Sequence, residues 1–506
     1  MLRQSFLSST VLSASLLSAA SASAEISGSD VWDIFTQYYE ATGATVRGAP
    51  QADGDTLVIA GPSLLYRFPF GVATVRLGLP DITLTDQSDG TVIISFPDVV
   101  ELPFEFDVPD EFSTSGTIVA TQTGYTSVAG GTPGDITFTQ SAEKIAVEVK
   151  DLILPDEGFD VALLVQSDGF DVTSQVTADD LIKVKTDMTI GSGQVAYILN
   201  GDGGFIVSNT GTFAPSVNTS EMALPAGGSD VFNLGAALQA GAFVRGAIQS
   251  GGNSSETVTT VDGDVVSEQA TKTGPTDGTY AIDANGLTLG VTAVASTFRT
   301  VMADVLPFPV EGEVAATDMA LQFPLLASPE PQDVLLRFGM DGLKIDDTLW
   351  DLFDAEGTLP RDPATFLIDL AGVVTSEVDW LNFATLEAQL DQPIPPITAD
   401  SVTLNAFALS AIGAAVDGTG SFALDTSDLE SFDGFPRPEG SALFNVKGAN
   451  ALLDRLTTLG LIGPDEAGLA RLGMGFLARA TGDDAFETSV EVNADGHVLV
   501  NGQRMR

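Results

Sequence analysis

The chain has 506 residues, no cysteine, and a formal net charge of −48 from 69 acidic and 21 basic side chains. A surface this negative repels phosphate backbones and anionic headgroups, which argues against nucleic-acid binding and against electrostatic attachment to anionic lipid. The missing thiols exclude disulfides, thiolate nucleophiles and Cys–metal centres, while a hydrophobic content of 44% permits a sizeable core.

The N terminus predicts an address. Arg3 is the only charge before Glu25, an apolar run follows from Phe6 to Ala20, and Ala22-Ser23-Ala24 supplies small residues at a cleavage site. This is the pattern of a cleaved secretory signal, residues 1–24, with the cut between Ala24 and Glu25 and a periplasmic destination. No cysteine marks a lipoprotein site. No later run is long enough to span a bilayer: Phe232–Ile248 comes nearest and is broken by Asn233, Gln239 and Arg245.

The chain then predicts a helix. Ser29 is placed as its N-cap, Asp30 at the positive end of its dipole and Gly43 at its end, with Val31, Ile34, Phe35 and Tyr38 on one face for docking on a sheet. From Ala44 the period changes to two. Ile82–Thr85 and Thr91–Phe96 read as a hairpin through Ser88-Asp89-Gly90. Ile136–Thr139 and Ile145–Val149 read as another, through Ser141-Ala142-Glu143. Strand signals recur at Leu181–Thr189, Gln194–Leu199, Gly204–Ser208 and Val258–Thr260. Asn200-Gly201, Asp262-Gly263, Asn285-Gly286, Asp341-Gly342 and Asp495-Gly496 read as turns, and Gln249–Glu256 and Ala270–Gly278 as exposed loops.

Phe68-Pro69-Phe70, Leu102-Pro103-Phe104 and Pro307-Phe308-Pro309 suggest strand starts, bulges or edges, because proline lacks a ladder donor. The first and last precede runs of strands, which hints at two similar halves, 25–225 and 230–506, or one continuous body. Late in the chain, Asp346–Asp354 predicts a short helix. Asn450–Leu459 and a helix opening at Gly463-Pro464 predict a helical hairpin near 450–480, packed on the sheet through Leu469, Leu472, Phe476 and Leu477. Phe486–Val492 and His497–Asn501 close the chain as a hairpin. The expected fold is mainly β: a large antiparallel, elongated or curved sheet with an N-terminal helix and a C-terminal helical hairpin.

The C-terminal third carries a resemblance. Asp347-Thr348-Leu349-Trp350-Asp351-Leu352-Phe353, Leu359-Pro360-Arg361-Asp362-Pro363-Ala364 and Ile368-Asp369-Leu370-Ala371-Gly372 come first. Gly448-Ala449-Asn450-Ala451-Leu452-Leu453-Asp454-Arg455-Leu456 and the close Glu491–Arg504 follow. Together they resemble the bacterial, mostly alphaproteobacterial, family known as domain of unknown function 2125. The resemblance is strongest over Pro331–Arg506 and implies a long β-sheet envelope protein without an established activity. It transfers no functional residue.

The sequence holds little catalytic chemistry. His497 is the only histidine, and no Gly-x-Ser-x-Gly elbow accompanies it. The acid pairs Asp179/Asp180, Asp346/Asp347 and Asp483/Asp484 are unremarkable among so many carboxylates. Asn200–Gly204 and Asp262-Gly263-Asp264 are the nearest approach to calcium loops and match no full motif. Trp32, Trp350 and Trp380 read as packing residues. Accordingly no catalytic, cofactor-binding or metal residue and no cofactor is assigned. The leading expectation is a non-enzymatic envelope protein binding or shielding an apolar ligand such as lipid along a sheet. Next comes a scaffold docking an envelope protein partner through edge strands, and last a carboxylate-based hydrolase, which needs two facing acids.

Overall fold

The computed structural model describes residues 25–68, 73–154, 160–230, 233–303, 305–391 and 395–506. Residues 1–24, where the leader is expected, and the residues Pro69 and Phe70 lie outside them. Strand makes up 63% and helix 11%, and the strands form one antiparallel sheet of 30.

Helix α1 (Gly28–Ala41) is capped two residues before the expected Ser29. Ser27 caps it in a reciprocal box with Asp30, and the Asp86 carboxylate accepts the Gly28 N–H at 2.7 Å. Val31, Trp32 and Ile34 are buried by docking on the sheet. Ten short strands follow: β1 (Ala44–Arg47), β2 (Pro50–Asp53), β3 (Thr56–Ile59), β4 (Ser63–Arg67), β5 (Thr74–Gly78), β6 (Ile82–Asp86), β7 (Val92–Ser95), β8 (Val99–Val108), β9 (Phe112–Thr123) and β10 (Thr126–Thr132). They form two ribbons, β1-β4-β5-β8-β9 and β2-β3-β6-β7-β10. Both attach to the long strand β11 (Asp135–Ile153), β10 along its first half and β9 along its second. Pro103 lies inside β8, not at a strand start.

Strands β12 (Asp160–Ala178) and β13 (Leu181–Asn200) continue the sheet at similar length. Six shorter strands come next: β14 (Ile206–Phe213), β15 (Ser216–Pro225), β16 (Phe243–Ser250), β17 (Asn253–Val261), β18 (Asp264–Thr273) and β19 (Thr276–Asp283), with α2 (Leu234–Gln239) after β15. Here the sheet divides. β14-β17-β18 extends from one half of β13 and β15-β16-β19 from the other, and both rejoin at β20 (Gly286–Met302). The expected loops 249–256 and 270–278 are mostly strand, with turns at 251–252 and 274–275.

From β20 the strands pair in chain order: β21 (Val310–Phe323), β22 (Ser328–Ile345), β23 (Ala364–Ser376), β24 (Ile397–Ala411), β25 (Ala414–Asp425) and β26 (Arg437–Lys447). The short helices α3 (Asp347–Trp350) and α4 (Leu386–Leu390) interrupt them. Helices α5 (Ala449–Thr458) and α6 (Pro464–Leu477) form the expected hairpin before β27 (Arg479–Gly482), β28 (Ala485–Val492), β29 (Val498–Val500) and β30 (Gln503–Arg504).

A line of irregular backbone crosses the sheet. It passes Gly124, Glu143, Gly169 and Gly191, then the turns at 214–215, 251–252 and 274–275, then Ala295, Ala315 and Gly342. Gly169 at φ 100° and Ala295 at φ 53° are left-handed, which breaks the pleat and bends the strand. The side-chain alternation slips by one residue there. In β13 the covered positions are even from Ile182 to Ile190 and odd from Gly193 to Leu199. The slip corrects two sequence readings. Ile136–Thr139 and Ile145–Val149 are one strand, not a hairpin, and Asp341-Gly342 lies inside β22. A broken period of two resembles a turn in sequence, but here the chain bends without reversing. A Cβ on Gly191 would stand 1.6 Å from the Asp168 carbonyl oxygen. Gly191→Ala is therefore expected to cost about 3 kcal/mol or more, read as a lowered unfolding midpoint.

The accessible surface is 28338 Å². A compact monomer of this mass exposes roughly 17,600 Å², so the sheet is not closed over a core. The main buried cluster joins α1 to Ile59, Ile82, Leu84, Val92, Ile94, Ile136, Val176 and Ile182 at the N-terminal end. The second is small, around Ala237, Leu238, Ala242 and Leu326.

Candidate functional site: an open apolar sheet face

Directly paired residues in an antiparallel ladder project to the same side, so the register carries a face from strand to strand. Starting at Phe138, which packs against the α1 core, one row reads Phe138, Ser174, Thr186, Ser220, Gly246, Tyr280 and Leu289. It continues through Leu321, Leu336, Leu370, Leu404, Gly420, Ala442, Val490 and Val500. Flanking rows hold Met319, Phe338, Ile368 and Phe407, then Met340, Phe366, Leu409, Val416 and Val446. From β20 to β29 the face is almost wholly hydrocarbon. It measures about 40 Å along the strand-to-strand direction and about 15 Å across, from a strand spacing of about 4.8 Å. That is at the upper end of the apolar patches of ordinary monomers.

The opposite face carries the charge. Arg337 lies between Leu336 and Phe338 in sequence and projects to the other side, where it pairs with Asp318 at 2.5 Å and Asp369 at 2.7 Å. Asn445 donates to Asp417 there, and Thr403 pairs with Ser421. The hydrocarbon on the first face is left partly bare: Leu336 is 47% exposed, Phe338 41%, and Met319 and Leu409 are comparable. Phe338, Phe366 and Phe407 stand in line, with ring centres 6.0 and 6.2 Å apart. Aromatic rings lie over glycine on the partner strand at Gly246–Tyr280 and Gly418–Phe444. A Cβ on either glycine would meet the ring, so these pairs keep the face low.

The N-terminal end of the same face is covered. A pocket of about 350 Å³ opens beside α1, lined by Trp32, Phe35, Tyr38, Phe96, Phe138 and Val176 among others. Burial, with Tyr38 and Tyr66 nearby, pushes the Tyr39 hydroxyl up to about 12, so it stays protonated. The pocket wall toward the open stretch is hydroxylated: Ser174 and Thr186 line it, 3.0 Å apart.

The residues singled out from sequence lie elsewhere. His497 follows its turn and donates its backbone N–H to the Asn493 side chain. The two acidic turns do come together, with the Asp262 N–H donating to the Gly204 carbonyl at 3.1 Å, but no cluster of three metal-ligating side chains occurs among the described residues. Asp346 caps α3, Asp347 pairs with Arg361, and Asp484 accepts the first N–H groups of α5. Trp32 is in the core, Trp350 lies beneath Arg361, and the Trp380 N–H donates to Ser376. The expected packing of α6 is reversed. Ala467, Arg471 and Met474 face inward, whereas Leu469, Leu472, Phe476 and Leu477 are exposed. Arg471 is drawn in by Asn450 and Asp454 of α5, which rotates the apolar stripe outward.

Two carboxylates make local structure acid-sensitive. Burial pushes Asp354 up, but the N–H groups of Leu359 and Thr358 outweigh it and hold the carboxyl below the usual range. Burial likewise opposes, and the N–H groups of Ala451 and Asn450 prevail, at Asp484. A depressed folded value gives stability that is complete above the unfolded value, about 3.9, and drains as pH falls through the folded one. The protection factors of the Leu359 and Ala451 amides are expected to hold from neutrality to about pH 4.5 and to fall below that.

The open rows were missed in the sequence because Leu335-Leu336 and Val373-Val374 blur strict alternation. The pattern Leu336-Arg337-Phe338-Gly339-Met340 was the available signal. No family model, curated protein or solved structure matches the chain. No helix among the described residues is long and apolar enough to cross a membrane.

Proposed function

We infer that this protein is an exported envelope protein that binds or shields an apolar ligand, of the lipid class, along the open face of its sheet, without catalysing a reaction on it. The observation that carries this reading is the nine-strand apolar stretch from Leu289 to Val500, which no second sheet covers among the described residues and on which Met319, Leu336, Phe338 and Leu409 stay more than a third exposed. Water there is in contact with Leu, Phe and Met side chains, and a hydrocarbon chain that displaces it gains about 25 cal/mol per Å² of surface removed from water. A bilayer core about 30 Å thick holds two acyl chains end to end, so one chain spans about 15 Å, well within the length of the face. The rows offer no charged partner, so the ligand's polar end would sit at the rim. The leader sequence and the family resemblance, as read from the sequence, support export to the periplasm.

The test is native mass spectrometry of the protein purified from its own periplasm, followed by organic extraction. A lipid-mass adduct that extracts into solvent supports the reading. A clean protein mass with an empty extract, and no uptake of added phospholipid, overturns it.

A further inference from the structure

We propose that the pocket between α1 and the sheet is a binding site for one small uncharged amphiphile, separate from the open face. The space is about 350 Å³, the volume of about a dozen waters at about 30 Å³ each. Packed interiors leave few voids larger than one water, and ligand pockets begin at about 300 Å³. The site is therefore the size of a molecule of about a dozen non-hydrogen atoms. Its α1 wall is aromatic, with Trp32, Phe35, Tyr38 and Tyr39. Its sheet wall is mostly hydrocarbon, including Ile94 and Val176. Both walls draw on the buried cluster that joins α1 to the sheet, so the shape of the pocket is held by well-packed neighbours.

The lining sets the chemistry of the occupant. Among the described residues, no side chain that lines the pocket carries a charge. The Tyr38 and Tyr39 hydroxyls are raised by burial and stay protonated. A carboxylate or an ammonium group brought here would lose its water and gain no counter-charge. Aromatic walls can cage a cation, but these rings are turned on one another. Trp32 stacks on Phe35 at 5.2 Å, and Tyr39 packs on Phe35 at 4.6 Å and on Tyr38 at 5.0 Å. The other polar groups are three neutral side chains on neighbouring strands. Ser174 and Thr186 stand opposite each other on β12 and β13, 3.0 Å apart, so one of the two hydroxyl protons remains to be donated. Gln140 stands diagonally from Ser174 across the β11–β12 ladder, within about 8 Å, and its amide makes no hydrogen bond among the described residues. A free amide and a spare hydroxyl proton match one hydroxyl or ester oxygen at the end of a hydrocarbon body. The site uses no residue of the open stretch from β20 to β29, so it stands independently of the ligand reading above.

The experiment is titration of the purified protein with 1-decanol, read by the fluorescence of Trp32 in a W350F/W380F background that leaves it the only tryptophan. A saturable shift of Trp32 emission at one decanol per protein is expected. Decanoate and decylammonium, of the same chain length but charged at neutral pH, are expected to bind at least tenfold more weakly. Gln140→Leu is expected to weaken decanol binding at least threefold. Ser174→Phe, which fills the pocket, is expected to abolish binding at an unchanged melting temperature. The variant L336D/F338D, altered only on the open face, is expected to bind decanol as the wild type does, so failure of the open-face reading is told apart from failure of this one. Decanol that leaves Trp32 emission unchanged overturns the proposal, as does decanoate or decylammonium that binds as tightly as decanol. A folded Ser174→Phe protein that still responds overturns it too. If Ser174→Phe melts early, Gln140→Leu decides, and undiminished decanol binding there overturns the proposal.

Discussion

The variant L336D/F338D is expected to lose bound apolar ligand almost completely while keeping its fold. Each side chain offers about 80–90 Å² of open hydrocarbon, worth about 2 kcal/mol of contact, or roughly thirtyfold in affinity. An aspartate adds a desolvation penalty wherever an acyl chain would lie against it. Neither residue belongs to a buried cluster, so the unfolding midpoint should move little. The residue between them supplies the control. Arg337→Ala removes the ion pairs to Asp318 and Asp369 on the other face. It should leave ligand content unchanged and cost about 1 kcal/mol or more, because Asp369, 14% exposed, loses its cation and keeps the Asn405 amide. Quantifying extracted lipid per mole of protein for the three proteins decides the matter. Equal loss from Arg337→Ala and from the double aspartate would mean that the two faces do not differ in function.

Trp32→Ala is expected to unfold one end of the molecule and spare the other. Trp32 projects from α1 into the buried cluster, stacks on Phe35 at 5.2 Å, and lies against Gly48. Truncating a buried tryptophan costs about 3–5 kcal/mol. In this sheet each strand touches chiefly its neighbours, and the one large buried cluster ends near Ile182 and Leu224. The loss therefore has no route to β21–β26, as in repeat proteins where stability is a sum over neighbours. Hydrogen exchange resolved by peptide should show protection falling in β6, β7 and β10–β13 and unchanged in β21–β26. A uniform loss along the chain would show that the sheet unfolds as a single cooperative unit.

Much of the fold was legible in local pattern, for reasons that are themselves local. The hairpin of β6 and β7 was set by a tight turn between alternating segments. α1 and α6 were marked by helical spacing with nearby caps, and α6 also by its proline at the first position. The misreadings share one cause. A residue that leaves the pleat shifts the alternation whether the chain turns back or merely bends. Only the pairing of Lys144 with Asp168 and with Thr123 shows that β11 continues through Glu143. Likewise Gly342 resembles the end of a strand until its neighbour Ala315 is seen in the same line.

The candidate site was less legible. Leu289, Leu321, Leu336, Leu370 and Leu404 are far apart in sequence and become one row through register, which is a property of pairs of strands. The orientation of α6 was equally hidden, because its stripe is visible in sequence but the side it turns outward depends on where Arg471 finds Asn450 and Asp454.

By itself, then, the sequence determined a cysteine-free, strongly acidic, strand-rich chain with helices near both ends, since charge, thiol count and period are local properties. The tertiary structure decided which apolar residues share a face, that this face is left open, and that α6 shows its hydrocarbon to the outside. Those outcomes follow from long-range pairing and from competition between surfaces for cover. Among the described residues there are one sheet and six helices, and the largest buried cluster is the one α1 makes at the N-terminal end.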